Sequence, residues 1–473
     1  MAYKKKLTFG LIVGTRNICN AKLGLDAREV LLKKMEKLGY GYVIIPVSET
    51  PSGSIDDYKD AQKCAKLFSD NRDIIDGIIV VLPNFSNEVG IVNAINGAKL
   101  NVPVLIQAMD DDNDKVDVYS RRDSFCGKIS VCNNLYQYGI PFTDTTYHTY
   151  PLDSELFEKD VDNFAAICRV VNGLSHARIG AIGARPAGFQ TVRASEKILQ
   201  ATGITVVPVD LSEILGAANK IDGNAAELKA KVAEIQAYGN IASTAKADKV
   251  IRQAKFGLAL ENWIAENELD ASAVQCWESL QKNYGCSSCV SMSMMSEKLI
   301  PSACEVDIAG AVSMYALMLA SGNAPALLDW NNNFAAERNK CVCTHCGNFP
   351  KSFMKTTPTI GSLDLLGTVL GQEDTFGAVK GPVAAGDFTF FRISTDDTLG
   401  GIKSYLGEGK FTNDPYAMDG GIAVAQVDNL QKLLKFICKN GFEHHVAMSR
   451  GNVASILEEA VENYLGWELY KHE

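Results

Sequence analysis

No apolar run in this sequence approaches the length of a bilayer-spanning helix, which argues against a membrane partner. The N-terminus, MAYKKKLTFGLIVG, is basic and then apolar in the manner of a secretion signal. Its apolar run ends too soon, at Gly14-Thr15-Arg16, without a small-residue cleavage site. It reads as a first strand, and a cytoplasmic protein is expected. An excess of positive charge is missing too. With 46 basic against 56 acidic residues, the net charge of −10 argues against a nucleic-acid partner, because phosphate binding needs concentrated positive charge. There is no low-complexity tract and no solenoid period. A disulfide framework is absent: thirteen cysteines are scattered from Cys19 to Cys438, as suits a reduced compartment. The dinucleotide fingerprint is also lacking. In RIGAIGARP, Gly180, Gly183 and Gly188 have the wrong spacing, and no suitable acid follows the next strand, so no nucleotide cofactor is expected.

What is present is a chain of 473 residues with ordinary globular composition, 47% hydrophobic and 22% charged, enough for two to four domains. The first part alternates strands (Leu7–Val13, Tyr42–Val47, Gly77–Leu82, Val102–Ile106) with helices (Ala27–Leu38, Ser54–Phe68, Asn87–Ala98). Continuous Val/Ile runs separated by helices indicate a parallel, doubly wound sheet, with functional loops at the carboxyl ends of the strands. Two such loops are Gly14–Asn17 and Pro83–Phe85. A second α/β unit starts at Arg178, where RIGAIGARP reads as a strand ending in a Gly-rich loop, followed by a strand at Thr205–Val209, long helices at Ala225–Tyr238 and Ala245–Glu266, and a short strand at Val274–Glu278. From about Asn331 helical periodicity fades and short β-rich runs with Gly and Thr suggest an antiparallel sheet or small barrel, before a last helix at Val453–Leu465. The expected architecture is α/β: two Rossmann-like domains (1–172 and 173–325) followed by a β-rich C-terminal domain (326–473).

The candidate chemistry centres on Ser302–Asp329, SACEVDIAGAVSMYALMLASGNAPALLD. Glu305 opens an apolar, helix-like run that Gly322 and Pro325 break, and a short apolar segment then delivers Asp329. Two carboxylates therefore bracket one buried element and can return to one face of the fold. Each has a plainer reading. Ser302-x-x-Glu305 fits a helix capping box, and Asp329 fits a turn with Asn331–Asn333. The late pair His444-His445, in GFEHHVAM, could be a packed, hydrogen-bonded pair. Glu278 is a weaker carboxylate candidate. Cys286-x-x-Cys289 and Cys343-x-x-Cys346 lack a redox or close-paired zinc context and read as structural or incidental thiols.

Taken in order, these residues resemble the metal-dependent aldose–ketose isomerases of the L-fucose/L-arabinose isomerase superfamily, nearly end to end. The resemblance implies that Glu305 and Asp329 are both catalytic groups and metal ligands, with His445 as the third ligand. It implies a substrate contact from Arg16, supplied across a subunit interface in a hexamer, and from His444. His345 matches a histidine of the arabinose-type members, as a ligand or a substrate contact. Oxygen donors with one imidazole suit Mn2+, with Mg2+, Co2+ or Zn2+ also possible. The implied reaction converts an open-chain aldose of L-fucose or D-arabinose type to its ketose through a cis-enediol. A family-like Asn-His-Gly has become His444-His445-Val446, so the substrate stays open. A sulfonated hexose such as sulfoquinovose is the alternative, with Arg16, Arg185 and Arg193 as candidates for its charged end. A non-catalytic sugar-binding protein and a zinc-structured interaction protein are the other readings.

Overall fold

The computed structural model describes residues 6–473, in two compact units. The first runs to Asn172 and takes back Glu459–Gly466; the second covers Gly173–Glu458 and Trp467–Glu473.

In the first unit, β1 (Thr8–Val13), α1 (Ala21–Leu38), β2 (Gly41–Ile44), α2 (Tyr58–Asp70), β3 (Gly77–Leu82), α3 (Glu88–Ala98), β4 (Val104–Ala108), α4 (Ser124–Gln137), β5 (Thr143–Asp144) and α5 (Glu155–Leu174) alternate. The five strands are parallel, in the order β2-β1-β3-β4-β5. Helices cover both faces, which is why β3, GIIVVL, carries no polar residue and is buried throughout. Helix α2 starts at Tyr58 rather than Ser54, because the Asp57 carboxylate accepts from the N–H groups of Lys59 and Asp60 and caps it there.

The second unit opens with β6 (Arg178–Ile182), α6 (Glu196–Ala201), β7 (Thr205–Val209), α7 (Leu211–Lys220), α8 (Ala226–Tyr238), β8 (Asn240–Ile241), α9 (Ala247–Glu266), β9 (Ala271–Val274), α10 (Ser279–Tyr284), α11 (Cys289–Glu297), β10 (Ser302–Cys304) and α12 (Ile308–Ser321). Its parallel sheet has the order β10-β9-β6-β7. The strand expected at Val274–Glu278 lies earlier: β9 ends at Val274, so Gln275–Glu278 form the loop that follows it. Every residue of α12 from Ile308 to Ala320 is buried, because the helix packs against β9 on the parallel sheet and against strands of the sheet that comes next.

That next sheet is built from β11 (Pro325–Phe334), β12 (Glu337–His345), β13 (Thr359–Ser362), β14 (Phe376–Pro382), β15 (Gly386–Asp396), β16 (Gly401–Phe411), β17 (Gly421–Gln426), β18 (His445–Arg450) and β19 (Glu468–Lys471), with β8 at its edge. Three more helices, α13 (Asp364–Leu370), α14 (Leu430–Lys439) and α15 (Ala454–Glu458), join these strands. The run β16-β15-β18-β11-β12-β17 is antiparallel, and β16 pairs back onto β17 through Lys410↔Gln426 and Phe411↔Ala425. Six strands thus close into a small barrel, which removes the exposed edges an open sheet would carry. The helix expected over Val453–Leu465 is instead α15 followed by a π-helical stretch, Glu459–Tyr464.

Candidate active site

Barrel register brings the late residues together. Asp329 on β11 lies directly opposite His445 on β18, and on its other side opposite Thr344, next to His345 at the end of β12. Opposed residues on neighbouring strands share a face. His345 itself pairs with Gly421 on β17, and a Cβ at Gly421 would sit 2.3 Å from the Phe349 ring, so only glycine allows that approach.

Glu305 reaches the same place from the parallel sheet. It does not open a helix, and the capping box expected with Ser302 is absent. Ser302 belongs to β10, and Glu305 and Val306 form a turn with φ of 61° and 55°. Two consecutive non-glycine residues in the left-handed region cost energy, and such strain is concentrated at functional sites. From this turn the Glu305 carboxylate reaches His445 instead of capping α12. The residue that caps α12 is Asp307, which accepts from Gly310 N–H at 2.8 Å.

The result is a buried constellation. His445 Nε2 lies 3.2 Å from Glu305 Oε2 and 3.5 Å from Asp329 Oδ1. Candidate ligand atoms of Asp329, His345 and His445 fall within 4.8 Å of one another, as do those of Glu305, His444 and His445. Glu305 Oε2, Asp329 Oδ1 and His345 Nε2 are all buried with no hydrogen-bond partner. Buried polar atoms are rarely left unsatisfied, and these three all belong to neighbours of His445. Two carboxylate oxygens and an imidazole nitrogen are a donor set for a divalent cation of hard or borderline character, so the residues fit one.

The rest of the arrangement fixes how these groups present themselves. His445 Nδ1 lies 2.8 Å from Asp307 Oδ2. Arg392 on β15 forks onto Asp307 at 2.5 and 3.1 Å and donates from Nε to Glu443 at 3.1 Å; Glu443 also accepts from Ser394 at 2.8 Å. Asp307 and Arg392 are fully buried. The carboxylate at Nδ1 holds that nitrogen as the protonated one, which leaves Nε2 turned toward Glu305 and Asp329. Burial works against charge on Asp307, but Arg392 and His445 outweigh it and hold the carboxyl well below its usual range. Burial likewise disfavours His445 as a cation, yet Asp307, Glu305 and Asp329 raise its pKa to about 10. For Glu305, contacts from His445, His345 and Trp277 overcome burial and keep it ionised; Trp277 Nε1 donates to Oε1 at 3.1 Å.

His345 is set differently. Its Nδ1 accepts from Cys346 N–H at 2.8 Å, so a neutral ring carries its proton on Nε2, facing the site as a donor. His444 is half-exposed, 3.8 Å from Asp329, and its ring meets Phe189 at 5.8 Å; burial and neighbouring His445 lower its pKa. Phe189 also packs edge-on against Trp277. Glu278 points elsewhere, onto Lys282. Arg16 belongs to the first unit, where it stacks on Phe85 and bonds to Phe85 O, Ser86 O and Glu88. Asp307, Arg392 and Glu443 were not anticipated. The available signal was Arg392, a charge flanked by Phe390, Phe391 and Ile393 in a strand with no polar face there.

Comparison with known proteins identifies the family. Residues 10–175 match the family model for the fucose/sulfoquinovose isomerase N-terminal domain, and residues 343–473 match that for the L-fucose isomerase C-terminal domain, together more than half of the chain. The chain is 28% identical over 341 residues to sulfoquinovose isomerase of Priestia megaterium, covering 72% of this chain and 74% of that protein; the Priestia aryabhattai protein of the same name matches equally. It is 25% identical over 311 residues to sulfoquinovose isomerase of Alkalicoccus urumqiensis, covering 65% and 68%. No helix among the described residues is long and apolar enough to cross a membrane. With both family models matched in order along one chain, this protein belongs to the fucose isomerase-like superfamily and is a sugar isomerase, an intramolecular oxidoreductase.

Proposed function

We propose that the protein is a divalent-metal-dependent aldose–ketose isomerase whose substrate is a sulfonated hexose of the sulfoquinovose type. The observation that carries the metal-dependent reading is that Glu305 Oε2 and Asp329 Oδ1, both buried without a hydrogen-bond partner, lie 3.2 and 3.5 Å from His445 Nε2. Glu305, Asp329 and His445 would hold the cation, with Mn2+ the best match and Mg2+, Co2+ or Zn2+ alternatives. When bound, the cation supplies Lewis-acid polarisation of the sugar carbonyl.

The chain's own groups handle the protons. A carboxylate kept ionised in a buried site is a ready base for the proton on C2, which gives a cis-enediol; the same proton returns at C1. Glu305 and Asp329 are the two candidates, one at carbon and one shuttling the hydroxyl proton between O2 and O1. His345 Nε2–H donates to a sugar oxygen, in keeping with its tautomer. His444, beside Asp329 and Phe189 and with its pKa lowered, offers a neutral imidazole to a hydroxyl. Trp277 and Phe189 give an apolar wall that limits water.

Two observations favour a sulfonated hexose over L-fucose or D-arabinose. The curated relatives are named sulfoquinovose isomerase. A cavity of about 610 Å³ beside Val306 is lined by Arg185 and Arg193, which have no carboxylate partner among the described residues, together with Asp397 and with Glu443, which Arg392 already engages. Arg16 is assigned to a neighbouring subunit's substrate in a homo-oligomer, a hexamer by family resemblance. Ile18, Val116, Val118 and Tyr119 support that assignment: all are exposed, and Asn20 ties Tyr119 to the Arg16 loop. A second copy of this chain is the partner such a patch fits. The test is ketose formation from sulfoquinovose, L-fucose and D-arabinose with added Mn2+, with Glu305→Gln as the control. Turnover of sulfoquinovose alone supports the reading. Turnover of L-fucose alone, or equal rates with the control, refutes it.

A further inference from the structure

Behind Glu305 lies a group of thiols that the proposed chemistry does not use. Cys304 ends β10, and Cys276 lies two residues beyond Val274, the residue that pairs with Cys304 on β9. Both side chains are buried. The two sulfurs and a Glu305 carboxylate oxygen all lie within 4.8 Å of one another. Cys289, the first residue of α11, and Cys346, just past β12, are within electrostatic reach of Cys304 and Glu305. Each Cys-x-x-Cys pair in the sequence therefore sends one member toward this cluster, whereas Cys343 instead meets Cys341 at 3.8 Å. All thirteen cysteines are free thiols.

The spacing suits a metal. With Zn–S bonds of about 2.3 Å, ligands at the corners of a tetrahedron are about 3.8 Å apart, so the three atoms close onto an ion by shifts below about 1 Å. Sulfur donors select thiophilic ions, whereas the oxygen–imidazole set selects harder ones. Glu305 faces both sets. We propose that Cys276, Cys304 and Glu305 form a second metal pocket, for a thiophilic divalent cation of the zinc–cadmium class, which shares Glu305 with the oxygen–imidazole site. The pocket stands on the thiol geometry, and only the shared use of Glu305 leans on the functional reading above. Filling the sulfur pocket withdraws Glu305 from the harder cation, so the two sites compete.

Cadmium titration of the metal-free protein tests this. One equivalent of Cd2+ is expected to give an ultraviolet thiolate-to-cadmium charge-transfer band and a 113Cd resonance in the range of sulfur ligation. The band is lost in Cys276→Ser and in Cys304→Ser, and one equivalent of bound Cd2+ weakens Mn2+ binding at least tenfold. Mn2+ binding is retained in Cys276→Ser, which separates loss of the sulfur pocket from failure of the catalytic site. A 113Cd shift showing only oxygen and nitrogen ligands in the wild type overturns the proposal, whatever the variants do. So does a band that survives both substitutions, or Mn2+ affinity unmoved by bound Cd2+.

Discussion

Metal binding by this site should release a proton, and the release should be visible as a steep pH dependence of affinity. His445 is held cationic by Asp307, Glu305 and Asp329 despite its burial, with a pKa of about 10. Its Nε2 cannot ligate while protonated, so each cation that binds displaces one proton from His445. Glu305 and Asp307 both have lowered pKa values and contribute none near neutrality. Far below pH 10, one displaced proton means about tenfold tighter binding per pH unit, or about 100-fold and ~2.7 kcal/mol between pH 6 and pH 8. Calorimetric titration of the metal-free protein with Mn2+, in buffers of different ionisation enthalpy, counts the protons directly. One proton per cation at pH 7, with affinity rising tenfold per unit, is the expected result. Affinity flat between pH 6 and pH 8, with no proton released, would refute the placement of His445 Nε2 at the metal.

Other consequences follow from the same contacts. Asp307→Asn leaves Arg392 buried with only Glu443 and loosens His445; it should cost about 3–5 kcal/mol in urea denaturation and weaken metal binding about 10–100-fold by equilibrium dialysis. Arg16→Ala should raise KM while leaving bound metal unchanged, measured by kinetics and elemental analysis on one preparation. The metal-free protein should lose stability as pH rises. The folded pKa of His445 lies above its unfolded value, so its contribution is complete below about pH 6.5 and disappears as pH passes through about 10, which a series of thermal melts would follow. Gly421→Ala should destabilise by about 1–3 kcal/mol in the same assay, because its methyl group collides with Phe349.

Much of the scaffold was legible in the sequence, for identifiable reasons. Strands such as GIIVVL declare a sheet covered on both faces, and turn-rich β segments after Asn331 declare a sheet of another kind. Barrel closure was not readable, since it depends on a few β16–β17 pairs between residues that look like any other strand end. Glu305, Asp329 and His445 were named through family order; their meeting rests on register, Asp329 opposite His445, and on a left-handed turn at Glu305. That turn is invisible in sequence, because neither Glu nor Val advertises positive φ. It also explains why Ser302-x-x-Glu305 misleads as a capping box when Asp307 two residues on is the cap. Asp307, Arg392 and Glu443 escaped notice because local pattern shows a buried charge but not its distant partner.

The most direct test is anomalous diffraction from crystals of the protein loaded with Mn2+, recorded at the manganese edge. One ion bonded to Glu305 Oε2, Asp329 Oδ1 and His445 Nε2 is the predicted result. An ion bound elsewhere, with those three side chains still unliganded and ketose still formed, would contradict the account.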